Sequence, residues 1–178
     1  MAEVHMTPLH SEQIRQENDR KIKSVRMALI AWLLLGAALI AVALVWRSPT
    51  SMDTSREKPA QAIVTGLTLA FGASGLFLRG MKLAPKIAYR RFLKELRGGL
   101  SHVEEGVVIG FDEDATFREG LDFYRLTMNV GDLADPKDER ILYWDANLPK
   151  PALEIGARVR ANIHGNDLIA LEICKDGE

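Results

Sequence analysis

Few side chains in this 178-residue chain have the types and spacing that chemistry requires. The four histidines, His5, His10, His102 and His164, belong to no recognisable metal-ligand motif. His5 and His10 are expected in an exposed tail, His102 and His164 as polar residues on a domain surface. The acidic run Asp112, Glu113 and Asp114 could hold a cation, yet it lacks the spacing and the glycine of an EF-hand loop and reads as a solvated hairpin connection. The single cysteine, Cys174, permits no intramolecular disulfide; it fits a reducing compartment and reads as a small strand residue, not a nucleophile. No Gly-rich phosphate loop, nucleophile elbow, HExxH or CxxC occurs. No catalytic residue, metal ligand or cofactor is therefore assigned. Catalysis is not expected, and an enzyme with an unrecognised site is a lesser alternative.

What remains is surface suited to contacts. Phe123, Arg125, Thr127 and Asn129 alternate along one expected strand, and Arg158, Arg160 and His164 along another. Tyr143 and Trp144 are adjacent and must point to opposite sides, so one of them is expected to be exposed or to cap the barrel. The candidate interaction face is Phe123, Arg125, Tyr143, Trp144, Arg158, Arg160 and His164. Aromatic and arginine side chains together stack on single-stranded nucleic acid and equally make protein hot spots. From residue 100 onward eight basic residues stand against seventeen acidic ones, net −9, which repels a phosphate backbone. A protein partner is therefore favoured, and a membrane-tethered module for single-stranded nucleic acid is the alternative.

The elements that carry this surface begin with two uncharged apolar runs. Residues 27–46, MALIAWLLLGAALIAVALVW, and 60–78, AQAIVTGLTLAFGASGLFL, hold no ionisable side chain. As helices rising 1.5 Å per residue they span about 30 Å, the thickness of a bilayer's hydrocarbon core. Both are apolar all round, unlike the amphipathic helix of a soluble core. The first is long for a signal sequence, follows a largely polar leader of 26 residues and is trailed by RSPTSM, which lacks a small-x-small cleavage site. Gly66, Ala70 and Ser74 recur every four residues and place a small-residue face on the second helix, with Gly36, Ala37 and Ala41 on the first. Packing of the two helices on each other within one chain is favoured over a homo-oligomer seam through Gly66, Ala70 and Ser74.

Charge sets the expected orientation. Arg15, Arg20, Lys21, Lys23 and Arg26 precede the first run; Arg79, Lys82, Lys86, Arg90, Arg91, Lys94 and Arg97 follow the second. The connection 47–59 balances Arg47, Arg56 and Lys58 against Asp53 and Glu57. Basic flanks stay on the cytoplasmic side, so both termini are expected there, on a cell-membrane protein with two spans. Through residue 99 the chain carries fifteen Lys and Arg against seven Asp and Glu, net +8, which with the −9 beyond it gives the overall −1. Arg79, Lys82, Lys86, Arg90, Arg91 and Lys94 are assigned to contact with anionic headgroups. In APKIAYRRFLKELRGGL the apolar Ile87, Tyr89, Phe92, Leu93, Leu96 and Leu100 gather on one side of a helix, Pro85 suits its first turn and Gly98-Gly99 its stop. That helix either lies in the headgroup region or packs on the domain after it. The leader 1–26 is expected to be helical from Thr7-Pro8, as cap and first position, and to run on into the first span.

From residue 100 the apolar period changes from helical to alternating. Five strands are expected at 102–111, 122–130, 140–145, 157–164 and 168–174, with connectors DEDATFREG, GDLADPKDE, ANLPKPALEIG and the tight Gly165-Asn166. Five short strands in under eighty residues make a small closed or partly open barrel. The stretch EIGARVRANIHGNDLIALEI, a glycine, an alternating strand, a tight turn and a final apolar strand, resembles the closing hairpin of OB-like barrels. Membrane helices followed by such a barrel resemble the NfeD-type proteins, although those usually have more spans and the GDLADPKDE connector does not align. The resemblance implies partnership with stomatin- or flotillin-like membrane scaffolds and carries over no functional residue. The expected fold is thus an α+β membrane protein: a transmembrane hairpin (27–46, 60–78, with external loop 47–59), a basic amphipathic juxtamembrane helix at 79–99 and a five-stranded antiparallel OB-like barrel at 100–178. Its expected role is that of a scaffold or accessory subunit binding a membrane protein partner.

Overall fold

The computed structural model describes residues 6, 8–47, 57–133 and 135–174. Most of the expected loop 47–59, and Thr7, lie outside the described residues. The chain has two long apolar helices and a closed five-strand barrel, an α+β fold. It divides into two compact units: residues 17–87, and residues 1–16 together with 88–178.

The first unit is built on α1 (Glu12–Arg47) and α2 (Glu57–Leu78). Both are long and apolar enough to cross a membrane. α1 fuses the polar leader and the first apolar run into one helix, as expected, but starts at Glu12 and not at Pro8. Ser11 takes the capping position, its hydroxyl oxygen accepting the Ile14 N–H at 3.4 Å. The buried and half-buried positions of α2 fall at Ala60, Val64, Leu67, Phe71, Ser74 and Leu78, alternating steps of four and three residues, with Gly75 also buried beside Ser74. Such steps keep one seam against a neighbouring helix. Across the seam Trp32 packs on Phe71, ring centroids 4.6 Å apart and planes tilted by 36°, and donates its indole N–H to the Ser74 hydroxyl at 2.9 Å. Gly36 is required there: a Cβ would stand 2.7 Å from Phe71 Cγ. The expected packing within one chain thus uses Gly36 and Ser74, whereas Gly66 and Ala70 are exposed.

α2 passes into α3 (Ala84–Gly98) through a π-helical turn, Arg79–Leu83, so that the helical run is continuous from Glu57 to Gly98. In that turn the Ala84 N–H reaches back five residues to the Arg79 carbonyl, and Pro85, which has no N–H to give, follows it.

The barrel comprises β1 (His102–Phe111), β3 (Leu121–Asn129), β4 (Glu139–Asp145), β5 (Arg158–His164) and β6 (Asp167–Ile173), with a three-residue strand β2 (Thr116–Arg118) on its edge. The sheet order is β1-β5-β6-β4-β3-β2, and β1 also pairs with β3 to close the cylinder. One strand serves two neighbours because β1 bulges between Val108 and Gly110: residues before the bulge pair with β5, those around and after it with β3. The all-antiparallel expectation needs correction. β4 and β6 run parallel and pair at Tyr143 and Asp167, because the last strand returns into the sheet beside a strand two elements earlier. Leu126, Met128, Leu142, Trp144, Val159 and Leu168 fill the interior, and Leu148 and Leu153 of the connector before β5 pack against them. A second apolar cluster lies outside the cylinder. There Tyr89, Phe92, Leu93 and Leu96 of α3 cover Leu121 and Phe123 of β3. Between the two readings of the amphipathic helix, the structure selects packing on the domain.

Candidate functional site

The seven residues of the expected interaction face do not form one surface. β5, which carries Arg158, Arg160 and His164, is separated from β4 by β6. Phe123 points outward from β3, as alternation requires, but is only 3% exposed because Phe92 of α3 lies edge-on over it, ring centroids 5.2 Å apart. Trp144 is buried in the barrel interior, its indole N–H without a partner among the described residues. Its neighbour Tyr143 takes the outer side, half-buried, with the Arg118 guanidinium 4.7 Å above its ring and Phe123 beside it. Phe123 and Trp144 therefore leave the exposed surface. Arg125 stays on it, bonded to the Asp112 carboxylate at 2.6 and 2.7 Å. Arg158 is exposed; Arg160 bonds Glu105 on β1, and His164 donates Nδ1–H to the Leu100 carbonyl at 2.9 Å. That last contact is close enough that a Cβ on Gly99 would overlap the imidazole.

Of the basic residues assigned to headgroups, Arg79 and Lys82 sit exposed in the π-helical turn. Lys86 is half-buried, its carbonyl accepting from the Asn18 side chain at 3.0 Å. Arg90, Arg91 and Lys94 are exposed on α3, opposite the face that covers the barrel. Among the described residues no group of three or more His, Cys, Asp and Glu is placed to hold a metal ion.

The most developed polar constellation is one the sequence did not announce. Asp145, at the end of β4, is 3% exposed. Its Oδ2 accepts the Tyr89 hydroxyl at 2.7 Å and the His10 Nε2–H at 3.1 Å, while its Oδ1 accepts the backbone and side-chain N–H groups of Asn147 at 2.9 and 2.8 Å. Burial by itself pushes the Asp145 carboxyl up; the donors His10, Tyr89 and Asn147 outweigh it and hold the group below the usual carboxylate range. The Tyr89 phenol is pushed well above its ordinary value by burial and by the adjacent carboxylate. Four donors fill the carboxylate's lone-pair positions, so none is left to abstract a proton. The arrangement acts as a clamp that draws the N-terminal segment, α3 and β4 to one carboxylate. His10, expected in an exposed tail, is held with its side chain 9% exposed, edge-on to Phe92. His5 lies outside the described residues. The contact joins positions 135 apart in sequence, and no local spacing signals it.

Two clefts flank α3. The larger, about 390 Å³, runs between α3 and the β2–β3 hairpin with Arg91, Glu95, Arg118, Glu119 and Asp167 around a floor of Phe92 and Phe123. Burial, and Glu119 beside it, push the Asp167 carboxyl up despite the Arg118 guanidinium 3.1 Å away. Glu119 and Gly120 form the two-residue turn from Arg118 to Leu121, both at positive φ (54° and 84°). That turn favours Asn or Asp before the glycine, and a glutamate there carries backbone strain of about 1 kcal/mol. The smaller cleft, about 220 Å³, lies over Leu93, Leu96 and Ile169 beside Glu12, Arg15 and Arg97. Glu12 bonds both arginines, Arg97 at 2.6 Å and Arg15 at 3.4 Å. No family model, curated protein or solved structure matches the chain.

Proposed function

We propose that this chain is an integral membrane protein whose two apolar helices form a hairpin anchor, and whose OB-like barrel is displayed in the cytoplasm to bind another protein, as a scaffold or accessory subunit of a membrane complex. The observation that carries the reading is the composition of the second compact unit. Residues 8–16, ahead of the first apolar run, pack with the barrel that follows the second. Two ends that fold together must lie on one side of a membrane, and two spans return the chain to the side it left. The basic flanks of both helices favour the cytoplasmic side. Arg79, Lys82, Arg90, Arg91 and Lys94, exposed on one continuous helical run, suit anionic headgroups.

A protein partner is favoured because net −9 from residue 100 onward opposes nucleic acid. In OB-like barrels the second and third strands commonly bind ligands. Those strands are β3 and β4 here, and α3 already covers Leu121 and Phe123. The surface left open there includes Arg125 and Ile141. The test is site-specific photocrosslinking in native membranes from Arg125, Ile141 and Arg158. One discrete adduct shared by neighbouring positions is expected. The absence of adducts from all three positions would refute the binding role, and release of the chain by alkaline carbonate would refute the anchor.

A further inference from the structure

The parallel seam between β4 and β6 is the weakest join in the barrel wall, and a third segment fills it. The two strands pair at Tyr143 and Asp167, with the Tyr143 N–H donating to the Asn166 carbonyl at 2.8 Å. Past that point Pro8 forms an antiparallel bridge with Ala170, and the Leu9 N–H donates to the Ile169 carbonyl at 2.9 Å. β6 bulges at that residue: Leu168 pairs with Ile163 and Ala170 with Asn162, leaving Ile169 without a partner on β5. On the edge of β6 away from β5, the Ile169 carbonyl takes the donor from Leu9. The Leu9 side chain packs against the barrel core, and His10 reaches Asp145 on β4. The segment therefore bridges the seam, by backbone to β6 and by side chain to β4.

We propose that this seam is a strand-acceptor groove for an extended peptide carrying a leucine-like side chain followed by an imidazole-type donor, and that Pro8-Leu9-His10 is its tethered, displaceable occupant. The inference rests on the reading of the barrel as a protein-binding module and names the place where a partner's segment enters. Strand addition draws affinity from backbone bonds and specificity from alternate side-chain pockets; the groove offers the Ile169 carbonyl, the apolar slot of Leu9 and the Asp145 carboxylate. The occupant is held chiefly by the Leu9 and His10 side chains and less by its backbone. Among the described residues its backbone makes one ladder bridge and one bond at Leu9, Pro8 has no N–H to add, and His10 Nδ1 is buried without a partner. A segment joined by an isolated bridge, outside the continuous ladder, opens locally without global unfolding. A competitor must overcome the effective concentration of the tethered copy, on the order of millimolar for a short connection.

The test uses the full chain in nanodiscs and a fluorescent peptide of this chain's own residues 6–16. Leu9→Asp, which empties the slot, is expected to bind the peptide at least tenfold more tightly than the unaltered chain, and a peptide carrying the same change is expected not to bind. Equal binding by both proteins, or none by either while the barrel's thermal transition persists, overturns the proposal. Should Leu9→Asp unfold the barrel, native-state hydrogen exchange of the unaltered chain decides. The Leu9 amide is expected to exchange at least a hundredfold faster than the Leu126 amide, and exchange at the same rate overturns the proposal. Photocrosslinks that persist at Arg125 when the seam result is negative refute the groove and leave the binding role standing.

Discussion

Val45, Leu69 and Leu76 of the helical hairpin are 67–74% exposed, whereas Leu126, Met128 and Leu142 of the barrel are at most 1% exposed. The same residue types are placed oppositely in the two units, as the proposed membrane anchor requires of parts that meet different solvents. A barrel in water must turn its apolar side chains inward, where each contributes about 1.5–3 kcal/mol. In the proposed bilayer a helix pair gains nothing by hiding leucine, and its seam includes close and polar contacts, Gly36 under Phe71 and Trp32 on Ser74. Polar groups follow the same division. Where the barrel buries a carboxylate, it surrounds it with four donors.

Substitutions that exchange the two environments probe this contrast. The largest effect is expected inside the barrel: Trp144→Ala should cost about 3–5 kcal/mol in chemical denaturation of the barrel, while Leu69→Ala leaves that transition in place. Next comes a charge in the hairpin. Leu69→Arg should disfavour insertion of the second helix by about 2.5–3.5 kcal/mol, read by a glycosylation-mapped insertion assay, with no change in barrel unfolding. Tyr89→Phe follows, at about 1.5–3 kcal/mol in the same barrel transition, since it removes a buried hydrogen bond to a charged acceptor.

Smaller and graded effects are expected from pH. The Asp145 carboxyl is depressed in the folded state, so its contribution is present above the ordinary carboxylate value and is lost as pH falls through the lowered folded value. The Tyr89 phenol is raised, so its contribution is complete below the ordinary tyrosine value and declines as pH climbs beyond it. Asp167, also raised, has the opposite sign to Asp145 in acid: protonation relieves a buried charge and adds stability as pH falls through its folded value. Thermal unfolding against pH should show both limbs, and Asp145→Asn should flatten the acid one. The smallest effect is Glu119→Asn, which suits the positive φ of the turn and should raise the barrel's stability by up to about 1 kcal/mol.

How much of this is legible in the sequence depends on the range of the interaction. Alternation in VEEGVVIGF and RVRANIH is local, and the five barrel strands fall within one residue of their expected ranges. β2 escaped because three residues are too short to alternate. Period two tells which side of a strand a residue takes, but not what covers that side. Phe123 points outward and is nonetheless buried, because α3 lies on it. The parallel join of β4 to β6 and the reach of His10 to Asp145 are tertiary choices with no mark in either segment. Pro8, which reads locally as the first residue of a helix, is instead drawn into an extended bridge on β6.

The claim that both ends of the chain share one side of a membrane is tested most directly by sided thiol labelling in intact cells. Native Cys174 reports on the barrel end, Ser11→Cys in a Cys174→Ser background reports on the N-terminal segment, and Ser51→Cys in the same background reports on the connection between the apolar helices. The account predicts that a membrane-impermeant reagent labels Ser51→Cys in intact cells and reaches Cys174 and Ser11→Cys only after permeabilisation. Labelling of Cys174 in intact cells, or of Cys174 and Ser11→Cys from opposite sides, would contradict it.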